Sequence, residues 1–384
     1  MATSFKTLLT TDIQSARTKL HEAIPITGTI VSGTYTQPQL PPNSTSEENI
    51  KNYSHGMFQS VYDYPYLSSS ANHILDITMG YSTGSAYSSS ASTQNTQKMQ
   101  IYNQMAQVLA GHDTTGRIRL FDEDGDLGSG NKINECYFVN FARLLTKDEI
   151  QKGTFYMDLS VDPLGNATTA PGARTDHVVR VKDTSGSTSY KVNSPAGEYN
   201  ILYATASTGD TLTNQFVPCG LLYYQAGIAV LTSSLFKVAA SGGLLSDTML
   251  TGAATAGKII METNATAGTG YGVSGSFISA SMSGAVDGLR ERVQNIYFAN
   301  TTELNSTIYF CRANASEFNY SSNPTYITGS KLRVKESRTD DPVSYITTIG
   351  LYGTNNELLA TAKLSEPLKK TPAQEFTLRV RLDY

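Results

Sequence analysis

The segment FTLRVRLD, at residues 376–383, decides the fold class, because apolar side chains alternate along it with polar or charged ones. The same period of two runs through LLATAKL at residues 358–364, which follows SYITTIGLY at residues 344–352 and a Gly-Asn turn. Alternation with this period is typical of a strand with one covered face. The three segments predict a compact antiparallel β unit over about residues 302–384. Its covered face is expected to bury Phe376, Leu378, Val380 and Leu382.

Strand-like segments separated by turn residues continue upstream as far as about residue 117. Apolar side chains at helical spacing predict a helix near residues 95–110, and weaker patterns predict helices over residues 12–21 and about 276–295. The sequence therefore predicts a mainly β (α+β) protein. Its short antiparallel strands are expected to form two or more β-rich domains with a few helices.

A chain of 384 residues is longer than one small domain needs. Shifts in composition predict four parts. These are an N-terminal arm and helix-containing docking region (1–115), a β-rich central domain (116–238), a Gly/Ala/Ser-rich linker with a helix (239–301), and an antiparallel β C-terminal domain (302–384).

Charge and hydropathy restrict the partners that the chain is expected to bind. The formal net charge is −4, so the chain lacks the excess of basic residues that would indicate nucleic-acid binding. The longest apolar run, residues 220–236, is short for a membrane span and contains Gln225. We therefore expect neither a nucleic-acid nor a membrane partner.

Three glycine motifs bear on enzymatic activity. Residues 80–84 read GYSTG, which matches the nucleophile elbow of serine hydrolases, but the polar residues that follow are poor helix formers. The G-x-G-x-x-G at residues 270–275 lacks a preceding buried strand, and the G-x-x-x-x-G-K at residues 252–258 is followed by Ile259 instead of Ser or Thr. We expect no enzyme, no catalytic residue and no cofactor, with a hydrolase built on Ser82 as a minor alternative.

Asp122, Asp124 and Asp126 form the best candidate for a metal site, because carboxylates at alternate positions of a loop can converge on Ca²⁺. Leu127 and Ile133 stand where the EF-hand pattern requires Gly and Glu. The sequence therefore favours a solvent-facing turn that requires no metal, and it leaves calcium binding open.

Aromatic residues are dense between residues 53 and 66 and again near residue 320. Tyrosine and phenylalanine bury large areas on contact, and tyrosine keeps a polar group at its tip. We interpret them as interface residues, namely Phe58, Tyr62, Tyr64, Tyr66, Phe318, Tyr320 and Tyr326.

Several of these segments carry a family resemblance. The stretches EFNYSSNPTY (317–326), YITTIGLY (345–352), NELLATAKLS (356–365) and HGMFQSVYDYPY (55–66) resemble structural proteins of large tailed phages. The similarity is greatest to contractile-tailed phages of marine and cyanobacterial hosts. The IGLY…LLA hairpin is also similar to the N-terminal attachment regions of some phage tail-fibre proteins.

The resemblance implies a non-enzymatic structural component of a phage tail, a baseplate or tail-adaptor subunit. Such a protein is made in the host cytoplasm and resides in the virion. Its partners would be other tail or baseplate subunits and further copies of itself, in three- or six-fold order. Two alternatives stay open: a receptor- or glycan-binding tail-tip or fibre-attachment protein, and a head or neck structural protein.

Overall fold

The computed structural model forms two compact units. The terminal unit comprises Met1–Leu20 and Glu303–Tyr384, and the central unit comprises His21–Thr302. The residues that the structure describes are 5–25, 49–89, 92–126, 130–141, 148–161, 178–206, 212, 214–237, 239, 243–245, 281–290, 292–321, 327–328, 331–332, 337 and 339–384.

The described elements are mostly strands. They are β1 (Ile13–Pro25), β2 (Ile50–Asn52), β3 (Gln59–Tyr62), β4 (His73–Tyr81), β5 (Phe121–Asp122), β6 (Lys132–Ile133), β7 (Glu135–Asn140), β8 (Glu149–Ile150), β9 (Tyr156–Ser160), β10 (Val178–Lys182), β11 (Lys191–Ser194), β12 (Gly197–Ala206), β13 (Val217–Tyr223), β14 (Ile228–Thr232), β15 (Val293–Ala313), β16 (Ile327–Thr328), β17 (Lys331–Leu332), β18 (Ser344–Tyr352), β19 (Leu358–Lys370) and β20 (Phe376–Asp383). The α-helices are α1 (Asn95–Leu109), α2 (Gly186–Ser189) and α3 (Met282–Arg290), and the 3₁₀ turns are Thr10–Asp12 and Ser233–Phe236.

The central unit is built on a sheet with the strand order β15-β9-β10-β12-β13-β14-β7-β4-β3-β2. These neighbours pair antiparallel, as do β8 with β15 and β11 with β12. The prediction of a mainly β fold is therefore confirmed. Within the described residues, no helix is long and apolar enough to cross a membrane.

The middle strands of this sheet are buried on both faces. In β14, for example, Ala229, Val230 and Leu231 are consecutive and fully buried. A continuous apolar run is expected where both faces of a strand are covered. The apolar run at residues 220–236 is thus the buried middle of the sheet.

Helix α1 confirms the prediction near residues 95–110. It packs on β4, where Gly80 leaves no room for a side chain: a Cβ atom there would lie 2.6 Å from the Lys98 carbonyl oxygen. The helix ends beside Gly111, which has a φ of +81° and donates its N–H to the Ala106 carbonyl at 2.9 Å. A glycine in this left-handed conformation is a common helix terminator.

The prediction of a helix over residues 12–21 is wrong, because this segment forms strand β1 beside β15. The ion pairs explain the preference. Arg17 and Lys19, two residues apart, both contact the Glu303 carboxylate, with the Lys19 ammonium at 2.8 Å. Residues two apart share a face in a strand but not in a helix, so pairing with β15 overrides local propensity.

The helix predicted over about residues 276–295 is shorter than expected. Helix α3 ends at Arg290, and β15 begins at Val293, which pairs with Leu159 of β9. Sheet pairing therefore takes over the last part of the predicted helix. Residues 276–280 lie outside the described residues.

In the terminal unit, the second half of β15 pairs antiparallel with β20, from Ser306 opposite Asp383 to Ala313 opposite Phe376. Strands β18 and β19 form a separate hairpin. The alternation predicted for residues 376–383 is present, but only Val380 is buried. Phe376, Leu378 and Leu382 are half-buried, which corrects the expectation of a fully covered face.

The boundaries predicted at 115/116 and 238/239 fall inside the central unit. The hydrophobic core of that unit extends in sequence from Ile50 to Phe298. Of the predicted linker, residues 246–280 lie outside the described residues.

Candidate interaction surfaces and acidic cluster

The aromatic segment predicted as an interface lies at one edge of the central sheet, on β2, β3 and the loops beside them. Tyr53, His55 and Phe58 form an aromatic cluster, with ring centroids 5.2 Å apart for Tyr53 and His55 and 4.6 Å apart for Tyr53 and Phe58. The Lys51 ammonium lies 4.8 Å from the Tyr53 ring centroid, within the range of a cation–π contact. Phe58 is therefore half-buried among its neighbours.

A second group of rings follows on β3 and the next loop. Tyr62 is half-buried, with its ring 6.3 Å from Tyr66 and 5.2 Å from His73. Burial is the main cause that raises the pKa of Tyr62. Tyr64 and Tyr66 are 41% and 37% exposed, and Leu67 beside them is 85% exposed. These side chains give the edge a mixed aromatic and apolar surface, which we call the tyrosine edge.

The polar groups around the tyrosine edge bond to one another. The Ser60 hydroxyl donates to Asp76 Oδ1 at 2.5 Å, and His73 Nε2 lies 2.7 Å from the same oxygen. Strand β2, the end strand of the described order, is only three residues long and contains Lys51. Short, charged end strands disfavour the addition of a further strand. This edge therefore suits contacts through side chains more than through the backbone.

In the terminal unit, Phe318 and Tyr320 are 40% and 59% exposed, and Tyr326 lies outside the described residues. The loop that carries Phe318 and Tyr320 is held by the fully buried Lys370 ammonium, which donates to the Ala315 carbonyl at 3.2 Å and to Asn319 Oδ1 at 2.8 Å. The Ser344 hydroxyl also donates to the Phe318 carbonyl. Ser344 and Lys370, which make these contacts, pair with each other at the base of the β18–β19 hairpin.

Sequence reasoning missed most of the exposed apolar residues in the terminal unit. Leu358, expected on a covered face, is 53% exposed. Four more lie on the hairpin or at the end of the chain, namely Tyr345, Tyr352, Leu359 and Tyr384, and another four lie in the N-terminal segment, namely Phe5, Leu9, Ile13 and Leu20. The sequence does contain a signal for this exposure, because Tyr345 and Leu359 lie out of phase with the apolar alternation and therefore point away from the covered face.

Ser82 lies in the core instead of at an exposed strand end. Its hydroxyl donates to Asn134 Oδ1 at 2.7 Å and accepts from the Gly84 N–H at 3.1 Å. Turns follow it, and helix α1 begins only at Asn95. These contacts give Ser82 a structural role. The motifs at residues 252–258 and 270–275 lie outside the described residues.

Asp122 is not part of a solvent-facing turn, which corrects the sequence expectation. It lies on β5 opposite Lys132 of β6, and it is only 1% exposed, whereas Asp124 and Asp126 are exposed. One carboxylate oxygen from each of the three residues lies within 4.8 Å of the other two. Burial is the main cause that raises the pKa of Asp122. Lys132 opposes this shift, and the nearby Asp124 and Asp126 carboxylates add to it to a smaller extent. We call these three residues the acidic cluster.

Next to the acidic cluster a cleft of about 650 Å³ opens in the surface of the central unit. Its lining includes Leu120, Glu123, Gly130, Asn131, Lys132 and Asn134. Burial raises the pKa of Glu123 in this cleft. The cleft is thus a polar surface feature shared with the loop that carries the acidic cluster.

No protein-family model, curated protein or solved structure matches this chain. The class that the structure itself defines is a mainly β protein. It carries a central antiparallel sheet, an exposed tyrosine edge and a terminal unit whose β18–β19 hairpin has a half-buried apolar face.

Proposed function

We propose that this chain is a non-enzymatic structural subunit of a phage tail, in the baseplate or as a tail adaptor, and that its terminal unit docks onto neighbouring virion subunits. The observation that carries the proposal is the β18–β19 hairpin. Its apolar side chains remain half-exposed in the single chain.

The hairpin has one apolar face along both strands. Cross-strand pairs on this face are Ile346 with Leu368, Ile349 with Ala362, and Leu351 with Ala360, and each of these side chains is half-buried. Among the described residues, no third strand pairs with this hairpin. A two-stranded hairpin is marginally stable in water unless its apolar face packs against another element. A neighbouring subunit would supply that cover.

The surroundings of the hairpin also suit a protein interface. Tyr345 and Tyr352 are 51% and 47% exposed, and aromatic residues are enriched at protein interfaces. The Phe5 ring contacts the Tyr352 ring edge-to-face at 4.9 Å, which fixes one of these aromatics in place. We take the first partner to be a second copy of this chain, because most oligomers are symmetric and the family resemblance points to three- or six-fold order.

The test is the mass of the full-length chain in solution, measured by sedimentation velocity over a wide concentration range. Wild-type protein is expected to form trimers or hexamers. Leu351→Asp places a charge on the half-covered face and is expected to shift the protein to monomers. Thr361→Asp is the matched control, because Thr361 is exposed between Ala360 and Ala362 and therefore points to the other face.

Thermal unfolding of both variants separates lost assembly from lost folding. Similar melting temperatures with different masses would support the docking role. A wild-type chain that stays monomeric at the highest concentration and in the presence of its neighbouring virion proteins would contradict it.

A receptor- or glycan-binding role is the second candidate, and the tyrosine edge favours it. Exposed aromatic rings beside polar groups are suited to stack on sugars or on peptide side chains. Saturation-transfer NMR with host surface glycans would detect binding, and Tyr64→Ala with Tyr66→Ala should abolish it. Tyr190→Ala is the control, since Tyr190 is 40% exposed elsewhere on the same unit.

A further inference from the structure

We propose that the acidic cluster binds one divalent cation of the calcium type. Asp122, Asp124 and Asp126 alternate along one loop, and each contributes a carboxylate oxygen to a group no wider than 4.8 Å. Hard cations such as Ca²⁺ prefer carboxylate oxygens at this kind of spacing. The acidic cluster shares no residue with the β18–β19 hairpin or the tyrosine edge, so the inference does not rest on the proposed function.

The second observation is the state of Asp122. This side chain is 1% exposed, and among the described residues its Oδ1 atom has no hydrogen-bond partner. A buried carboxylate oxygen without a partner is costly, and native proteins rarely leave one. The oxygen is therefore an unused ligand inside the fold.

The direction of this oxygen agrees with a site inside the cluster. A Cβ atom at Gly130 would lie 3.0 Å from Asp124 Oδ2 and 4.0 Å from Asp122 Oδ1, so both oxygens lie towards Gly130. Gly130 has a φ of +123°, a conformation that other residues rarely adopt. Glycine thus keeps open the space that the two carboxylates share.

The charges within the cluster favour a divalent cation. Lys132 Nζ lies 3.0 Å from Asp122 Oδ2, on the other oxygen of the same carboxylate. Three carboxylates gathered within 4.8 Å of one another concentrate negative charge, and this favours a cation with two positive charges. The exposed positions of Asp124 and Asp126 leave room for water ligands, which suits the six to eight oxygens that Ca²⁺ takes.

Terbium provides a direct probe, because it replaces Ca²⁺ in oxygen sites and is excited through a nearby tyrosine. The Tyr199 hydroxyl donates to the carbonyl of Gly125, within the same loop, at 3.3 Å. Metal-stripped full-length protein should show saturable terbium emission that Ca²⁺ displaces. Ca²⁺ alone should raise the melting temperature, because it binds the folded state selectively.

Asp124→Asn is the informative variant, since Asp124 is exposed and the asparagine oxygen can still accept the hydrogen bond from the Asp126 N–H, so we expect the fold to be kept. We expect it to weaken Ca²⁺ at least about tenfold, because affinity depends on the charge of the ligands. Glu123→Gln is the matched control. It removes the same charge from the adjacent residue, which is outside the cluster, and should change the affinity less than about threefold.

Two results would overturn the proposal. One is wild-type protein without saturable terbium emission and without a Ca²⁺-dependent melting temperature. The other is an equal loss of affinity in both variants, which would indicate attraction to general surface charge instead of a site.

Discussion

At the scale of single residues, Gly80 fixes the distance between strand β4 and helix α1. A Cβ atom at this position would lie 2.6 Å from the Lys98 carbonyl oxygen and 2.9 Å from the Tyr102 amide nitrogen. Both are backbone atoms and cannot rotate away. We expect Gly80→Ala to lower the free energy of unfolding by about 1–3 kcal/mol, the usual cost of overpacking, as measured by urea denaturation.

Gly84, the other glycine of the same motif, is the control for this prediction. Its nearest neighbours to an added Cβ are Asn134 Oδ1 at 3.4 Å and Ser82 Oγ at 3.5 Å, which are ordinary contacts. Gly84→Ala should therefore change stability by less than about 1 kcal/mol. Equal effects of the two substitutions would show that helix packing is not the reason for Gly80.

Lys98, in the first half of helix α1, makes stability depend on pH. Its side chain is fully buried, and desolvation lowers its pKa from 10.5 to about 8. Between these two values the unfolded chain binds the proton and the folded chain releases it. The contribution of Lys98 to the free energy of unfolding should therefore rise with pH from about 8, by about 1–2 kcal/mol up to pH 9.5, and it is read from the difference between wild-type protein and a variant without this amine.

The measurement is a series of denaturation curves between pH 7 and 9.5, for wild-type protein and for Lys98→Met. The variant lacks the titrating group, so the difference in stability between the two proteins should change with pH over this range. Burial raises the pKa of Cys136 and Cys219, and these thiols lower stability as the pH rises, but they do so equally in both proteins and cancel in the difference. The window ends below pH 10 because Tyr102, whose pKa burial also raises, adds a further opposing contribution at higher pH. Parallel profiles would contradict the role of Lys98.

At the scale of elements, strand β20 tests how much a partly covered face contributes to the free energy of unfolding. Leu378 pairs with Cys311 of β15 and is only half-buried. Leu378→Ala should therefore cost about 1–2 kcal/mol, below the 2–5 kcal/mol of a fully buried leucine. Thr377→Ala, on the exposed face, should stay within about 0.5 kcal/mol. A loss above about 3 kcal/mol for Leu378→Ala in monomeric protein would show that the face is already covered.

The same elements show which features of the fold the sequence alone can predict. Alternation predicts β18, β19 and β20 because side-chain direction is a local property of the backbone. The pairing of β1 with β15 is not local, since Arg17 and Glu303 are far apart in the chain. How well a face is covered depends on which elements pack on it, and the alternation does not contain this information. The alternation therefore predicts that Leu378 is buried, whereas it is half-buried.

In the acidic cluster, too, the local feature is predictable from the sequence and the feature that depends on distant residues is not. The spacing of Asp122, Asp124 and Asp126 is visible in the sequence and indicates convergent carboxylates. The burial of Asp122 is not, because it follows from the pairing of β5 with β6 and from Phe121 packing on Tyr102. Exposed aromatics were likewise predictable as residue types, but their positions at a sheet edge were not.

At the scale of the whole molecule, burial is distributed unequally between the two units. Most fully buried side chains belong to the central unit, where strands such as β13 and β14 are covered on both faces. In the terminal unit, the hairpin β18–β19 is half-buried along its apolar face. Local stability follows such contacts, so the two units should open with different free energies.

Hydrogen exchange measures this difference directly. In the monomeric Leu351→Asp chain, amides of β13 and β14 should exchange slowest, at the free energy of global unfolding, and those of β18 and β19 orders of magnitude faster. In the assembled wild-type protein the hairpin amides should become slow, because a neighbouring subunit covers their face. Equal protection of the hairpin and the central strands in a monomer would mean that the terminal unit is stable by itself. The half-exposed hairpin would then not require a partner.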